Sequence, residues 1–473
     1  DYALVGSFFT YAIWVGMGVL AIFDMLRKRL SENMAAPIAT ALVAIAPMLM
    51  LTQNFDDHSR RQHTAARDYA VNFLESCDKN AIIFTYGDND TYPLWYAQEV
   101  ENIRTDVRVV NLSLLGTDWY INQLRRKMNE SPAIKLSIPE SAIMGDKRQQ
   151  VPVQKGGGEK SLLDVIRFIG ASNPQTTQSG YTFESYAPTE KVFLTIDKQK
   201  MLENGLITAQ DTGVVEKIPF TLGSSLMRDD IAVLDIIANN FNERPIYFAV
   251  TVAPNKMQGL NSYSQLEGLA SRLLPISTVD PTNRLPGVVG VGRVERNKIF
   301  DRVMNKFKWG NFDTHKTYVD KNYRPSVQST RFMALRTAMN MIDNKEEAKA
   351  VQLNDKMFAA YPNMNFPYDN ETLYFLEIYA RAGEVGKESY KKHARILAQN
   401  IVENLRFDKS VSNKIRQMRG IDIEEVYDMR LKDELMRLSA VLKDDAFSNE
   451  LNEMFKDFPT PQRIPNPNQQ PQQ

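Results

Sequence analysis

Ala3 to Phe23 is an apolar run of about 21 residues without a charge, enough to cross a bilayer core of roughly 30 Å. A second run, Met34 to Leu51, is about 18 residues long and also reaches across. The first is apolar on every face, whereas a soluble helix carries a polar stripe. Residues 1–54 are therefore predicted to form a transmembrane hairpin, with the lipid bilayer as its first partner. The connector, Asp24 to Asn33, holds Arg27, Lys28 and Arg29. Short loops rich in Lys and Arg stay cytoplasmic. Both outer ends of the hairpin then face the other side; in a bacterium this is an inner-membrane protein with its soluble body in the periplasm. Asp1 is not Met, and no basic n-region precedes the first run, so no signal peptide is expected. The simpler expectation is a chain that begins partway through a longer protein, with further spans upstream.

Beyond the hairpin the pattern becomes α/β, over residues 55–310. Asp57 to Leu74 is polar and helix-prone. Ala81 to Tyr86 is a short apolar run with β-branched and aromatic residues, which predicts a buried strand. It stops at Gly87-Asp88-Asn89-Asp90-Thr91, and a helix is predicted from Tyr92 to Val100. A second strand, Asp106 to Leu112, runs into Gly116-Thr117-Asp118, with a helix from Trp119 to about Met128. Strands are further predicted at Lys191 to Ile196 and Arg244 to Val252, with helices at Ser161 to Ile169 and Met227 to Phe241. Alternating strands and helices predict a Rossmann-like parallel α/β domain to which all these strands belong.

From 325 to 457 the periodicity turns helical. Ala338 to Ala348 and Ile378 to Lys387 look like turns between paired antiparallel helices, about 40 residues apart. This predicts an all-α region of helical hairpins resembling tetratricopeptide repeats and separate from the sheet's core. Residues 458–473 are Pro/Gln-rich and are expected to be disordered.

Composition narrows the function classes. Charge is balanced at 57 basic and 57 acidic residues, which leaves no nucleic-acid footprint. The single cysteine, Cys77, excludes an internal disulfide and a Cys-based zinc site. The four histidines are scattered. Gly156-Gly-Gly-Glu-Lys-Ser161 lacks the Gly-Lys-Ser/Thr ending of a phosphate loop.

The candidate chemistry lies in the two strand-end loops. Ligands of open parallel sheets bind outside the carboxyl ends of the strands. Asp88, Asp90 and Asp118 would gather there, with Tyr92, Trp95 and Trp119 close by and Tyr120 beside them. Carboxylates beside rings suit a sugar or a peptide. The same carboxylates could hold a divalent cation through oxygen ligands. Gly, Asp, Asn and Thr are also what a strand-to-helix turn and its N-cap require.

The run Phe84 to Glu101, with Arg104 to Leu115, Thr117 to Ile121 and Tyr186 to Lys198, resembles the protein O-mannosyltransferase-like membrane family of Bacteroidetes. The resemblance implies the C-terminal part of a multi-span glycosyltransferase-type enzyme. The implied donor is a lipid-linked sugar, and the implied acceptor is a Ser/Thr hydroxyl on an exported protein. The general base is expected in an early loop upstream, so the resemblance assigns no catalytic residue here. A soluble domain that presents or recognises the acceptor is the leading expectation. The rivals are a non-enzymatic envelope scaffold that holds partners through its helical repeats, and aspartate loops that form a hydrolytic or transfer site of their own.

Overall fold

The computed structural model describes residues 4–171, 175–178, 180–277, 292–320, 323–411, 415 and 421–459. The Pro/Gln-rich segment from 460 onward, expected to be disordered, lies outside the described residues.

The chain divides into two compact units, one built on residues 1–63 and the other on 64–314 with 319–473. The first is a helical hairpin, α1 (Val5–Leu26) and α2 (Glu32–His58). Both helices are long and apolar enough to cross a membrane. They pack through small residues: Ala35 and Ala39 are buried, and a Cβ on Gly18 would lie 3.7 Å from Val43. Many of their other apolar side chains, including Phe8, Phe9, Trp14 and Leu20, are exposed. A soluble helix would turn such residues into a core.

The second unit opens with α3 (Ala65–Glu75), β1 (Ile82–Thr85), α4 (Asp88–Glu99), β2 (Arg108–Asn111) and α5 (Asp118–Leu124). There follow β3 (Gln150–Pro152), β4 (Lys160–Ser161), α6 (Leu162–Gly170), β5 (Thr176–Gln178), β6 (Tyr181–Phe183) and β7 (Lys191–Thr195). Next come α7 (Lys198–Glu203), β8 (Lys217–Thr221), β9 (Ser225–Met227), α8 (Arg228–Asn240) and β10 (Ile246–Ala249). The sheet region ends with β11 (Ser264–Leu266), β12 (Ala270–Leu273), β13 (Arg293–Val294) and α9 (Arg296–Asn305).

The main sheet has six strands in the order β13-β11-β12-β10-β1-β2. Only β10, β1 and β2 form the predicted parallel core, because β12 runs antiparallel to both β10 and β11. The sheet is mixed, which corrects the expectation of an all-parallel domain. The change of direction comes from the tight connection Glu267-Gly268-Leu269, where Gly268 has φ 144° and lies against Ser76. A second correction concerns Lys191 to Ile196. This strand is not in the main sheet but lies between β4 and β8 in a separate three-stranded sheet. Burial explains the difference. Every residue of β1, β2 and β10 is buried, whereas β7 buries Val192 and Leu194 and exposes Lys191 and Thr195. A strand with one wet face suits a small peripheral sheet.

The all-helical region contains α10 (Arg324–Asp343), α11 (Glu347–Ala360), α12 (Asn370–Arg381), α13 (Lys387–Ser410), α14 (Ile421–Ala440) and α15 (Asp445–Met454). The breaks after Asp343 and Arg381 fall inside the two predicted turn segments, with Lys345 and Gly383 both at positive φ. This region is not separate from the sheet's core. One continuous set of buried side chains runs from Ala65 to Phe458. Trp309 packs edge-on against Tyr361 at 5.9 Å, Phe312 against Phe366 at 5.0 Å, and Asn365 Nδ2 donates to Phe312 O at 2.8 Å.

His393 marks the centre of the helical core. Its ring stacks on Phe358 at 3.6 Å, and its Nδ1 lies 3.1 Å from the Tyr368 hydroxyl. Burial, with the Lys392 charge behind it, pulls the imidazole from an ordinary 6.5 down to about 4. The folded state thus holds this ring neutral. Its contribution to stability is fully present above pH 6.5 and is lost as pH falls toward 4. Between pH 7 and pH 5 the loss should be about 2 kcal/mol. His393→Phe should flatten the pH dependence of unfolding by that amount, as read from denaturant midpoints in detergent.

Candidate functional site

The carboxyl ends of β1 and β2 are adjacent and held by a buried polar network. Gly87 leaves β1 at φ 78°, ψ −179°, a conformation almost confined to glycine, and so turns the chain into α4. The Thr91 hydroxyl lies 2.7 Å from that of Thr85 and donates to Gly87 O at 2.8 Å. Asn111 Nδ2 donates to Thr91 Oγ1 at 3.0 Å, while its Oδ1 accepts from Ser113 N at 2.8 Å and Leu114 N at 3.2 Å. Asn111 N donates to the Tyr120 hydroxyl at 2.9 Å. Sequence reasoning missed Thr91 and Asn111. For Asn111 the signal is a short polar side chain at the end of a buried strand, where loop backbone groups need partners, whereas Thr91 lies in the first turn of α4 and carries no such signal.

All three aspartates stand at this edge, but each is engaged separately. Asp88 opens α4, is exposed and lies beside Tyr92, whose phenol its charge raises above the ordinary value. Asp90 turns inward and accepts from the Thr251 hydroxyl and the Tyr86 backbone N–H, and burial raises its carboxyl pKa. Asp118 opens α5 and accepts from Gly145 N at 2.8 Å and Trp119 N at 2.7 Å. Those two N–H groups, with the Arg228 charge nearby, hold it below the usual carboxylate range. The loop around it is fixed by buried Arg228, which donates to Gly145 O at 2.5 Å and Lys147 O at 2.6 Å. Among the described residues, no three His, Cys, Asp or Glu side chains group so as to hold a metal. The three carboxylates thus share one sheet edge, each engaged by partners of its own. The cause is local: α4 starts at Asp88, and helical positions two apart do not face each other.

The aromatic residues, in contrast, form a continuous row. Tyr92 stacks on Trp95 at 5.6 Å, Trp95 lies 6.5 Å from Tyr120, and Tyr120 meets Trp119 edge-on at 5.6 Å. Trp119 is 57% exposed and Tyr92 50% exposed, so both ends of the row reach solvent. Asp88 stands at one end and Asp118 at the other. Ring faces offer an apolar platform, and the flanking carboxylates can accept hydrogen bonds from hydroxyls.

A cavity of about 350 Å³ adjoins the Tyr92 end. Asp88 and Tyr92 line it, whereas Asp90, Asp118, Trp95 and Trp119 do not. Its other walls come from α3, residues 308–312, the start of α10 and Tyr361. Two side chains of α3, one turn apart, fix the 308–312 segment. Asn72 exchanges hydrogen bonds with Lys308 O at 2.9 Å and Lys308 N at 2.8 Å, and Asp68 accepts from Gly310 N at 3.0 Å. Gly310 has φ 64°, and a Cβ there would lie 2.9 Å from Ala65 Cα. Sequence reasoning missed this cavity because its walls lie some 240 residues apart in the chain.

No curated protein and no solved structure matches the chain. Residues 66–295, from α3 to β13 and including the strand-end loops, are similar to the family described as TMEM260-associated domain 2.

Proposed function

We propose that this chain is the membrane-exit and soluble portion of a glycosyltransferase-like membrane protein of the protein O-mannosyltransferase kind. Its soluble body recognises the acceptor. The donor is a lipid-linked sugar, and the acceptor is a Ser/Thr hydroxyl on an exported protein, met on the periplasmic side of the inner membrane. The base that activates that hydroxyl belongs to an upstream loop. The observation that carries this reading is the family match over residues 66–295 in a chain whose two leading helices are of membrane-crossing length. The row from Tyr92 to Trp119 adds a surface suited to an extended, hydroxyl-bearing peptide.

A test is Asp88→Asn with Asp118→Asn in the full-length protein, followed by mass spectrometry of exported glycoproteins. Gly87 and Thr117, not the two aspartates, cap these helices, and Asn keeps the size of each side chain, so the fold should survive with the loss of one backbone hydrogen bond at Asp118, about 1 kcal/mol. Glycosylation should fall at least severalfold while the protein still inserts. Unchanged glycosylation would speak against acceptor recognition at this edge. The rival reading, a scaffold that binds partners through the helical hairpins, is favoured by exposed Phe407, Val426 and Tyr427 on α13 and α14.

A further inference from the structure

The cavity between α3, α4 and α10 has polar atoms in its wall, but they are engaged with one another. Asp68 accepts from Thr64 Oγ1 at 2.8 Å, Arg67 Nη1 at 3.0 Å and Gly310 N at 3.0 Å. Asn72 uses both its amide and its carbonyl on Lys308. The Tyr69 hydroxyl is buried beside the Ser326 and Ser329 hydroxyls, and the Tyr361 hydroxyl bonds Thr330, so these two residues offer the cavity their rings. The surface left for an occupant is therefore mainly apolar, from Tyr69, Tyr92, Trp309, Phe312, Val327 and Tyr361. Replacing loosely held water against such walls with an apolar group is favourable. The spacing of the neighbouring rings is the second observation. Centroids along the row from Tyr92 to Trp119 follow at 5.6, 6.5 and 5.6 Å. Side chains on one face of an extended chain repeat about every 7 Å. A segment lying along the row sets alternate side chains over successive rings, and Tyr92, the ring at one end, is also a wall of the cavity.

We propose that this cavity is a specificity pocket that takes one large apolar side chain, of Leu or Phe size, from an acceptor peptide bound along the aromatic row. A charged side chain would lose its water against the rings and meet a like charge at exposed Asp88 or Lys308. A lipid acyl chain fits the walls, but it leaves the exposed Asp88, Asn89 and Lys308 without a polar partner, whereas a peptide backbone brings N–H and C=O groups to them. A volume of about 350 Å³ is at the low end for ligand sites and suits a side chain better than a larger ligand. This inference rests on the reading of the soluble body as the acceptor-recognising part and adds a sequence preference to it.

The test is fluorescence anisotropy on the full chain in nanodiscs. The probes are short labelled peptides of Gly, Ser and Thr with one guest residue, Ala, Leu, Phe, Lys or Glu, moved along the peptide. At one position Leu or Phe should bind about tenfold more tightly than Ala, part of the gain from burying a large apolar side chain, and Lys or Glu should bind no more tightly than Ala. Ala66→Phe, at an exposed position on the cavity wall, fills the space and should bring the Leu and Phe peptides down to the affinity of the Ala peptide. Val327→Ala enlarges the cavity and should favour Phe over Leu. Melting curves of both variants establish that they are folded. A guest preference that neither folded variant alters would overturn the proposal. So would labelled octanoate that binds the wild type but not Ala66→Phe while the peptides show no guest preference, which would assign the cavity to an acyl chain. Equal binding of every peptide would overturn the pocket and leave acceptor recognition standing. Binding of none would overturn both.

Discussion

Replacing Glu267 with Gln should destabilise the soluble body by about 3–5 kcal/mol, the cost of leaving buried charges uncompensated. Glu267 is fully buried at the β11–β12 turn. It accepts from the Tyr247 hydroxyl at 2.8 Å, Lys298 Nζ at 2.6 Å and Gln265 Nε2 at 2.9 Å. Arg302 and Arg272 lie 3.6 and 3.9 Å away. Asp78, just before β1, is the second carboxylate of the group, bound by Lys298 at 2.9 Å, Arg272 at 2.9 Å and Arg302 at 3.1 Å. Two carboxylates thus hold three cations and join β1, β10, β12 and α9. Glu267→Gln keeps the shape and leaves three cations facing Asp78 alone. Chemical denaturation in detergent should show a lower midpoint with an unchanged slope. A loss below about 1 kcal/mol would mean that the network contributes little.

A chain that ends at Thr314 should fail to fold, although it keeps every strand of the main sheet. Trp309 and Phe312 are buried in the intact protein by Tyr361 and Phe366. Removing the helices uncovers both rings and strips Phe312 O of its Asn365 donor. It also removes the Glu346 partner of Arg296, 2.9 Å away. Each large apolar side chain returned to water costs about 1.5–3 kcal/mol. A handful of them exhausts a net stability of about 5–15 kcal/mol. Size-exclusion chromatography and circular dichroism of the shortened protein should report aggregation and no cooperative melt. A sharp melt would restore the idea of two separable domains.

Physical distance along the chain decided what the sequence revealed. The strands β1 and β10 were legible because burial on both faces leaves continuous apolar runs, and β2 because Val107, Val109, Val110 and Leu112 concentrate β-branched and apolar residues ahead of a Gly-containing loop. The breaks near 345 and 383 were legible because Asn and Gly punctuate long amphipathic helices. The strands β11 to β13 were not, since two to four residues carry too little periodicity to read. Gly87-Asp88-Asn89-Asp90 was ambiguous for a chemical reason: the residues that cap a helix are those that bind a hydroxyl or a cation. The structure separates the roles, turning Asp90 inward to Thr251 and leaving Asp88 at the mouth of the cavity. Tyr69 reads as an ordinary amphipathic-helix residue. Only the return of the chain at 308–312 makes its ring part of a cavity wall.

The most direct test of acceptor recognition at the sheet edge is site-specific photo-crosslinking of the full-length protein in its own membrane. A photoreactive side chain would replace Trp119 in one variant and Val385 in another, since both positions are exposed. The account predicts that Trp119 captures Ser/Thr-bearing segments of exported proteins and that Val385 captures far fewer. Capture confined to Val385 would contradict it, and would place partner binding on the helical hairpins instead.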